Sequence, residues 1–563
     1  MATLKKNTKV LFGFTSPRTI EKIIPEIKLL GEKFLGKKWI GNEKLQIKFF
    51  DELLKTADYK AGKYPKDPAL AARDRITRAP KALGFVSLDP KISLTNQGQN
   101  LISKKEIEVV ISEQLLKFQL PSPFHKASNA RFYVRPYLEL LRMIYDLDGL
   151  SKTEIALFFL QLTNFKKYNV IKKKVLLFRV NKKQAKGNKK KFVESVISSE
   201  LADIYKTELT TGDVKIRQGT KSQSVRRFIS TKFRNHIDYA DAYIRYLRAS
   251  GLATFNSKTN RLVASRVNLD YVEYILKNVE RDPVHINDSA KYKDYLYNSK
   301  QIRLPYFDIA WLRQKAITIG VQEDKISSDA TEVYSTIQAK IFSAKDKAIA
   351  EVKEIKRKDK GIGEIVELFE KIKKKDREIY DPSLFFEWNV WRSMVALNYL
   401  KCSMPNFSMD IDGEPISTAP GGKPDIELEY EGFKLIVEVT LSTGNTQYNM
   451  EGESVTRHYG KERKETIKDL YCLFVAPKIS ESCAQYYLVS NKTAFAANGG
   501  KTKIIGISTD KFIEFVQSGI KNGFSSPAVL KKWLDWCYSE CERTDDALQW
   551  INEIEQSCTK WAI

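Results

Sequence analysis

Two short stretches in the last third of the chain alternate apolar and polar positions, DIELEY and FKLIVEVT, with Glu431-Gly432 between them. Alternation of period two predicts half-buried strands, and a glycine-bearing pair between two such runs predicts a tight turn. Strands are therefore expected near Asp425–Tyr430 and Lys434–Thr440. The pattern changes on either side. Upstream, DPSLFFEWNVWRSMVALNYL carries apolar residues at helical spacing, with Pro382 where a first turn accepts proline. Downstream, TQYNMEGESVTRHYGKERKETIKDL predicts a helix, and YCLFVAP and TKIIGIST predict apolar, buried strands. Helix, hairpin, helix and strand in that order predict an α/β domain over residues 377–563.

The pattern upstream is mainly helical. KALGFVSLDPKISLTNQGQNLI reads as strand, Asp89-Pro90 turn, strand and helix start, a hairpin wing following helices in the manner of a winged helix. Residues 106–200 are mostly helical, with apolar spacing in RPYLELLRMIYDLDGLSKTEIALFFLQLT. The wing logic then repeats: KSQSVRRFISTKFRNHIDYADAYIRYLRASG predicts a basic helix pair, and LATFNSKTNRLVAS a hairpin with Asn260 near its tip. From about Ser327 to Tyr380, Lys, Glu, Ala and Ile at helical spacing predict a helical linker, with a hinge at Gly361 and Gly363. The expected organisation is a multidomain α/β protein. Winged-helix-like recognition subdomains fill 1–105 and 106–300, a linker 301–376, and the α/β domain 377–563.

Composition adds a partner. A chain of 563 residues exceeds one hydrophobic core, and 42% hydrophobic residues describe an ordinary globular protein. No apolar run reaches ~18 residues and no signal peptide is legible, so a cytoplasmic location without a membrane partner is expected. The six cysteines all lie between 402 and 558, and four scattered histidines do not complete a zinc pattern, so reduced, packed thiols are expected. Charge is distributed unevenly. Residues 371–563 hold 24 Lys+Arg against 27 Asp+Glu, which leaves 70 against 42 of the chain's 94 and 69 for residues 1–370. That excess implies a polyanion, bound with counterion release from its phosphates. Between Lys166 and Lys191 stand eleven Lys and one Arg without an acid, expected as a flexible, solvated stretch that attracts phosphate. Lys221, Arg226, Arg227, Lys232 and Arg234 crowd another segment and are expected DNA contacts. The interleaved Phe228, Phe233 and Tyr239 are expected in the core.

The hairpin carries the chemistry. Pairing its strands brings Asp425 and Glu438 to one sheet edge, in the pattern of a PD-(D/E)xK nuclease. Phosphodiester hydrolysis needs water activation and neutralisation of charge on the phosphate. Mg²⁺ does both, with oxygen ligands at ~2.1 Å and several retained waters. The two carboxylates and the backbone carbonyl of Val439 form a suitable donor set, for one or two Mg²⁺. Thr440 stands where a lysine is usual, and Lys434 lies ~13 Å from Glu438 along the strand, too far to replace it. Gln447, Glu451, Ser454 and His458 share one helical stripe, with Gln447, Glu451 and His458 as catalytic candidates. Glu451 could ligate metal or orient water, and His458 could contact phosphate or move a proton; a solvated polar stripe is the bland reading. Glu387 is either a half-buried structural carboxylate or a further ligand. No GxxxxGK[ST] loop for an NTPase is present.

The stretch APGGKPDIELEYEGFKLIVEVTLSTGNTQYNMEGESVTRHY resembles the catalytic segment of AlwI-type type IIS restriction endonucleases. SPRTIEKIIPEIKLL, ARDRI, KFQLPSPFHK and TKFRNHIDYADAYIRYLRASGL extend the resemblance over nearly the whole chain. It implies Mg²⁺-dependent cleavage a short fixed distance to one side of a short asymmetric site in double-stranded DNA. It implies catalytic roles for Asp425 and Glu438 and places Glu387 and Glu451 in the same active centre, with Thr440 a family variant. Arg18, Arg73, Asp74, Arg75, Gln119, His125, Lys126, Lys232 and Arg234 fall in the matching recognition stretches, as base readers, phosphate contacts or parts of the fold. The implied partners are DNA, a cognate methyltransferase, and a transient second copy or a small second nuclease subunit for double-strand cleavage. Two alternatives stay open: a nicking enzyme that cuts one strand, and an inactive DNA-binding protein.

Overall fold

The computed structural model describes residues 8–17, 20–56, 64–103, 106–125, 131–185, 187–216, 220–257, 259–340, 361–376, 379–397, 400, 402–410, 412–419, 422–524 and 526–562. The chain divides into two compact units, Met1–Ile341 and Phe342–Ile563. Residues 341–360, inside the expected linker, lie outside the described residues; helices Ala330–Lys340 and Gly361–Lys373 stand on either side.

The first unit is helical with two small hairpins. Its helices begin where short polar side chains cap them: Asn42 accepts from Leu45 N, Asp67 from Leu70 N ahead of Pro68, and Ser151 forms a capping box with Glu154. The expected hairpins are present, Val86–Ser87 against Ser93–Leu94 and Ala253–Asn256 against Arg261–Ala264, both antiparallel. Asn260, near the tip of the second, has φ +52°, a conformation that asparagine tolerates in tight turns.

Two expectations need correction here. The basic helix pair is one helix, Val225–Arg248, since no glycine or proline interrupts those 24 residues. The lysine-rich stretch is not a flexible loop. It forms helices Tyr168–Gln184 and Lys189–Ile204, the first anchored by buried Tyr168, Ile171, Val175 and Phe178. Lys172, Lys174 and Arg179 pair with Asp146, Glu200 and Glu154 at 2.8, 2.7 and 2.7 Å. Acids distant in sequence thus neutralise part of a run that contains none.

The second unit is built on a five-stranded sheet ordered Ile504–Ser508, Asp469–Ala476, Phe433–Val439, Ile426–Glu429, Cys402–Pro405. The first three strands are parallel, and the last two pair antiparallel. Helix Gly444–Glu465 makes the crossover between parallel neighbours Phe433–Val439 and Asp469–Ala476, as parallel pairing requires. Gly432, at φ +83°, turns the chain between Ile426–Glu429 and Phe433–Val439 in a conformation that costs glycine little. Phe433–Val439 is the central strand and is almost wholly buried, whereas Ile426–Glu429 alternates buried and half-buried. The acids accordingly lie at the end of a central strand, not on a lateral edge of the sheet, because two parallel strands continue the sheet beyond it. Cys472, Cys483, Cys537, Cys541 and Cys558 are buried free thiols. Among the described residues no helix is long and apolar enough to cross a membrane.

Candidate active site

Strand register assembles the acids. Ile426 pairs with Val437 and Leu428 with Leu435, so one further step sets Asp425 opposite Glu438. The Asp425 carboxylate accepts a hydrogen bond from Val439 N at 2.8 Å, which ties it to the next residue of the neighbouring strand. Its backbone is held as well: Asn406 N donates to Asp425 O at 3.0 Å, and Asn406 Nδ2 to Pro424 O at 2.8 Å. Asn406 was not singled out in the sequence, and nothing local marks it; its role comes from the pairing of Cys402–Pro405 with Ile426–Glu429.

Two helices bring further acids. Glu387, on buried helix Pro382–Leu397, accepts from Ala419 N at 3.2 Å. Burial pushes its carboxyl up to about 9, and the nearby charge of Asp425 acts in the same direction. Burial also pushes Glu438 well above the usual carboxylate range, aided by Glu451 and then Glu387, while Arg457 opposes the shift. These four acids therefore feel one another's charge, and Glu387 and Glu438 are only 7% and 4% exposed. Without a cation, burial and the neighbouring negative charges favour the protonated form of such carboxylates. Among the described residues no three His, Cys, Asp or Glu side chains converge closely enough to hold a metal by themselves. A set of two carboxylates and a backbone carbonyl, completed by water, remains chemically suited to Mg²⁺.

The stripe on helix Gly444–Glu465 faces inward: Gln447 is buried, and Glu451, Ser454 and His458 are half-buried. His458 Nδ1 lies 2.8 Å from Glu438 Oε1, which joins it to the acid cluster. Gln447 does different work from the catalytic role expected of it. Its amide donates to Ser442 O and Lys478 O and accepts from Ser480 N, so backbone groups engage both ends of the side chain. Lys434 is engaged too, by Glu427 at 2.7 Å and Glu462 at 2.6 Å. Thr440 Oγ1 accepts from Ser442 N at 3.1 Å and shapes the chain leaving the central strand.

The recognition candidates separate into groups. Lys221, Arg226, Arg227 and Arg234 are exposed in or just ahead of the first turns of helix Val225–Arg248. Lys232 is drawn inward, 5.0 Å from the ring centres of both Tyr205 and Phe228, and burial lowers its pKa. Gln119 is fully buried and clamps Val284, donating to its carbonyl at 2.6 Å and accepting from its N–H at 2.8 Å. Arg75 binds buried Glu26, and Asp74 accepts from Arg78. Arg73, Asp74 and His125 line one cavity. Arg18 and Lys126 lie outside the described residues.

Acids gathered at a strand end of an α/β sheet, in a chain whose other unit is strongly basic, define a nucleic-acid enzyme by class. The AlwI restriction endonuclease family matches residues 81–515, more than half of the chain, and this protein belongs to that family. It is by that membership a site-specific endonuclease acting on DNA. The small subunit of the heterodimeric restriction endonuclease R.BspD6I is similar at 29% identity over 35% of this chain and 98% of its own, with a TM-score of 0.31. The binding domain of the BpuJ1 endonuclease, solved with pyrene- and phenanthrene-modified DNA, is similar at 16% identity over 52% of this chain and 95% of its own, with a TM-score of 0.32. No curated protein matches the chain.

Proposed function

We propose that this protein is a Mg²⁺-dependent type IIS enzyme. In this reading the first unit holds a short asymmetric site through winged-helix-like elements, and a PD-(D/E)xK centre in the second cuts a short fixed distance away. The observation that carries the reading is the Asp425–Val439 hydrogen bond beside Glu438, inside a cluster of four acids. Asp425, Glu438 and the Val439 carbonyl would hold Mg²⁺, with Glu387 adding negative charge beside them and not a ligand; when bound it supplies water activation and neutralises charge on the phosphate. Glu451 orients the attacking water. His458, bonded to Glu438, fixes that carboxylate and is placed to pass a proton. Asn406 keeps Asp425 in register. The family's cognate methyltransferase would protect host DNA.

Each chain carries one such acid cluster among its described residues, so one chain makes one cut. Cutting both strands requires a second centre, from another copy or a small nuclease subunit; without it the enzyme nicks. Supercoiled plasmid with Mg²⁺ separates these cases. Linear product rising with enzyme concentration is expected for double-strand cutting, and open circles alone at high enzyme for nicking. If Asp425→Ala cuts as fast as the wild type, the catalytic assignment is wrong. A wild type that binds but never cuts would leave only a DNA-binding role.

A further inference from the structure

Thr440 stands where a lysine is usual and brings no charge, and its Oγ1 is engaged by Ser442 N. Hydrolysis beside it still builds charge on the phosphate, which a fixed cation stabilises. The neighbouring lysines are committed elsewhere. Lys434 is shared by Glu427 and Glu462, and Lys461 Nζ donates to Gly422 O at 3.1 Å. Lys423 stands two residues ahead of Asp425, and its charge acts on Glu427.

Arg457 is placed differently. It directly precedes His458, whose Nδ1 lies 2.8 Å from Glu438 Oε1, and it follows Ser454 of the inward stripe by three residues. At about 3.6 residues per turn it therefore borders that stripe on helix Gly444–Glu465. Its side chain is 52% exposed, yet its charge reaches Glu438 and opposes the rise of that carboxyl's pKa. It thus stands on the rim between the acids and water. There it rests on Glu453, with Nε 3.0 and 3.3 Å from the two carboxylate oxygens. Glu453 is itself 72% exposed, and an ion pair so open to solvent contributes little and yields readily to a stronger anion. Both bonds use Nε. No acceptor among the described residues meets Nη1 or Nη2, the nitrogens with which an arginine grips two oxygens of a phosphate.

We propose that Arg457 does the work of the missing lysine: its guanidinium leaves Glu453 and binds the non-bridging oxygens of the phosphate being cut. Glu453 is then a resting partner that holds the arginine on the rim until DNA arrives. The inference rests on the nuclease reading of this unit and adds to it the side chain that stabilises charge on the phosphate.

Single-turnover cleavage at saturating protein with Mg²⁺ tests it, with gel shifts in Ca²⁺ for binding and thermal melting to confirm that each variant is folded. Arg457→Gln should cut about 10²-fold more slowly, as when one transition-state donor is removed, while binding weakens by no more than about threefold. Arg457→Lys restores the charge without the two-pronged grip and should recover about tenfold of that loss. Glu453→Gln breaks the same ion pair and separates a contact to DNA from a pair that merely supports the helix; it should cut at least as fast as the wild type. Cleavage by Arg457→Gln within about threefold of the wild type, or an equal loss in Glu453→Gln, would overturn the proposal. So would a rate for Arg457→Gln that returns to the wild-type value at higher pH, because the arginine would then act by ionising Glu438. Should Asp425→Ala cut as fast as the wild type, the nuclease reading itself fails, whatever Arg457→Gln does.

Discussion

Residues 1–341 carry 63 Lys+Arg against 35 Asp+Glu, whereas residues 342–563 carry 31 against 34. The two units also expose their charge differently. In the first, the cations with most reach, such as Arg226, Arg227 and Arg234, stand in water on a helix surface. In the second, the acids with most influence, Glu387 and Glu438, are withdrawn from water and crowded together. Dispersed exposed cations act additively on a polyanion and are screened by salt. Buried acids act as a unit, and losing one removes the function. The comparison teaches that affinity should erode gradually under mutation in the first unit, while cleavage should stop at a single change in the second.

The strongest challenge to that division is Glu438→Ala. Cleavage should fall by at least ~10³-fold, since charge stabilisation at the reacting phosphate carries so much of catalysis, while site-specific binding measured by gel shift stays within about twofold. Equal loss of both would erase the distinction between the units.

The next largest effect is on stability. Burial holds His125 and His236 at about 4, against 6.5 when exposed. Below about pH 6.5 the unfolded chain takes up these protons and the folded one does not, so stability falls as pH drops from 6.5 to 4. The loss approaches about 3 kcal/mol per histidine and levels off below 4. Both lie in the first unit. Hydrogen exchange should therefore show its protection declining over that window, and His236→Gln should flatten the decline. An unchanged slope in His236→Gln would remove His236 from the account.

The smallest effect sharpens the picture of dispersed charge. Replacing Arg226 and Arg227 by alanine should weaken DNA binding by roughly tenfold and lower the salt slope by about 2. Single-turnover cleavage at saturating protein should be retained. If affinity falls with no change in salt dependence, these arginines do not meet phosphates.

Local pattern made much of the second unit readable. Period-two alternation on either side of Gly432 marked the hairpin, and its register carried Asp425 to Glu438, because a strand pair with a two-residue turn has little freedom in register. The charge division was equally plain, since composition is independent of fold. The first unit was read less well. A run of lysines without local acids looked loose until Asp146, Glu154 and Glu200 met it from elsewhere.

Residue chemistry along the chain thus marked which groups are able to bind DNA and polarise a phosphate, and the turn and strand periods aligned two of the acids. Which polar groups do so was settled by distant segments folding together. Gln447 and Gln119 became backbone clamps, and Lys434 was taken by Glu427 and Glu462. A side chain's role follows from the partners and the water around it, and chain neighbours specify neither.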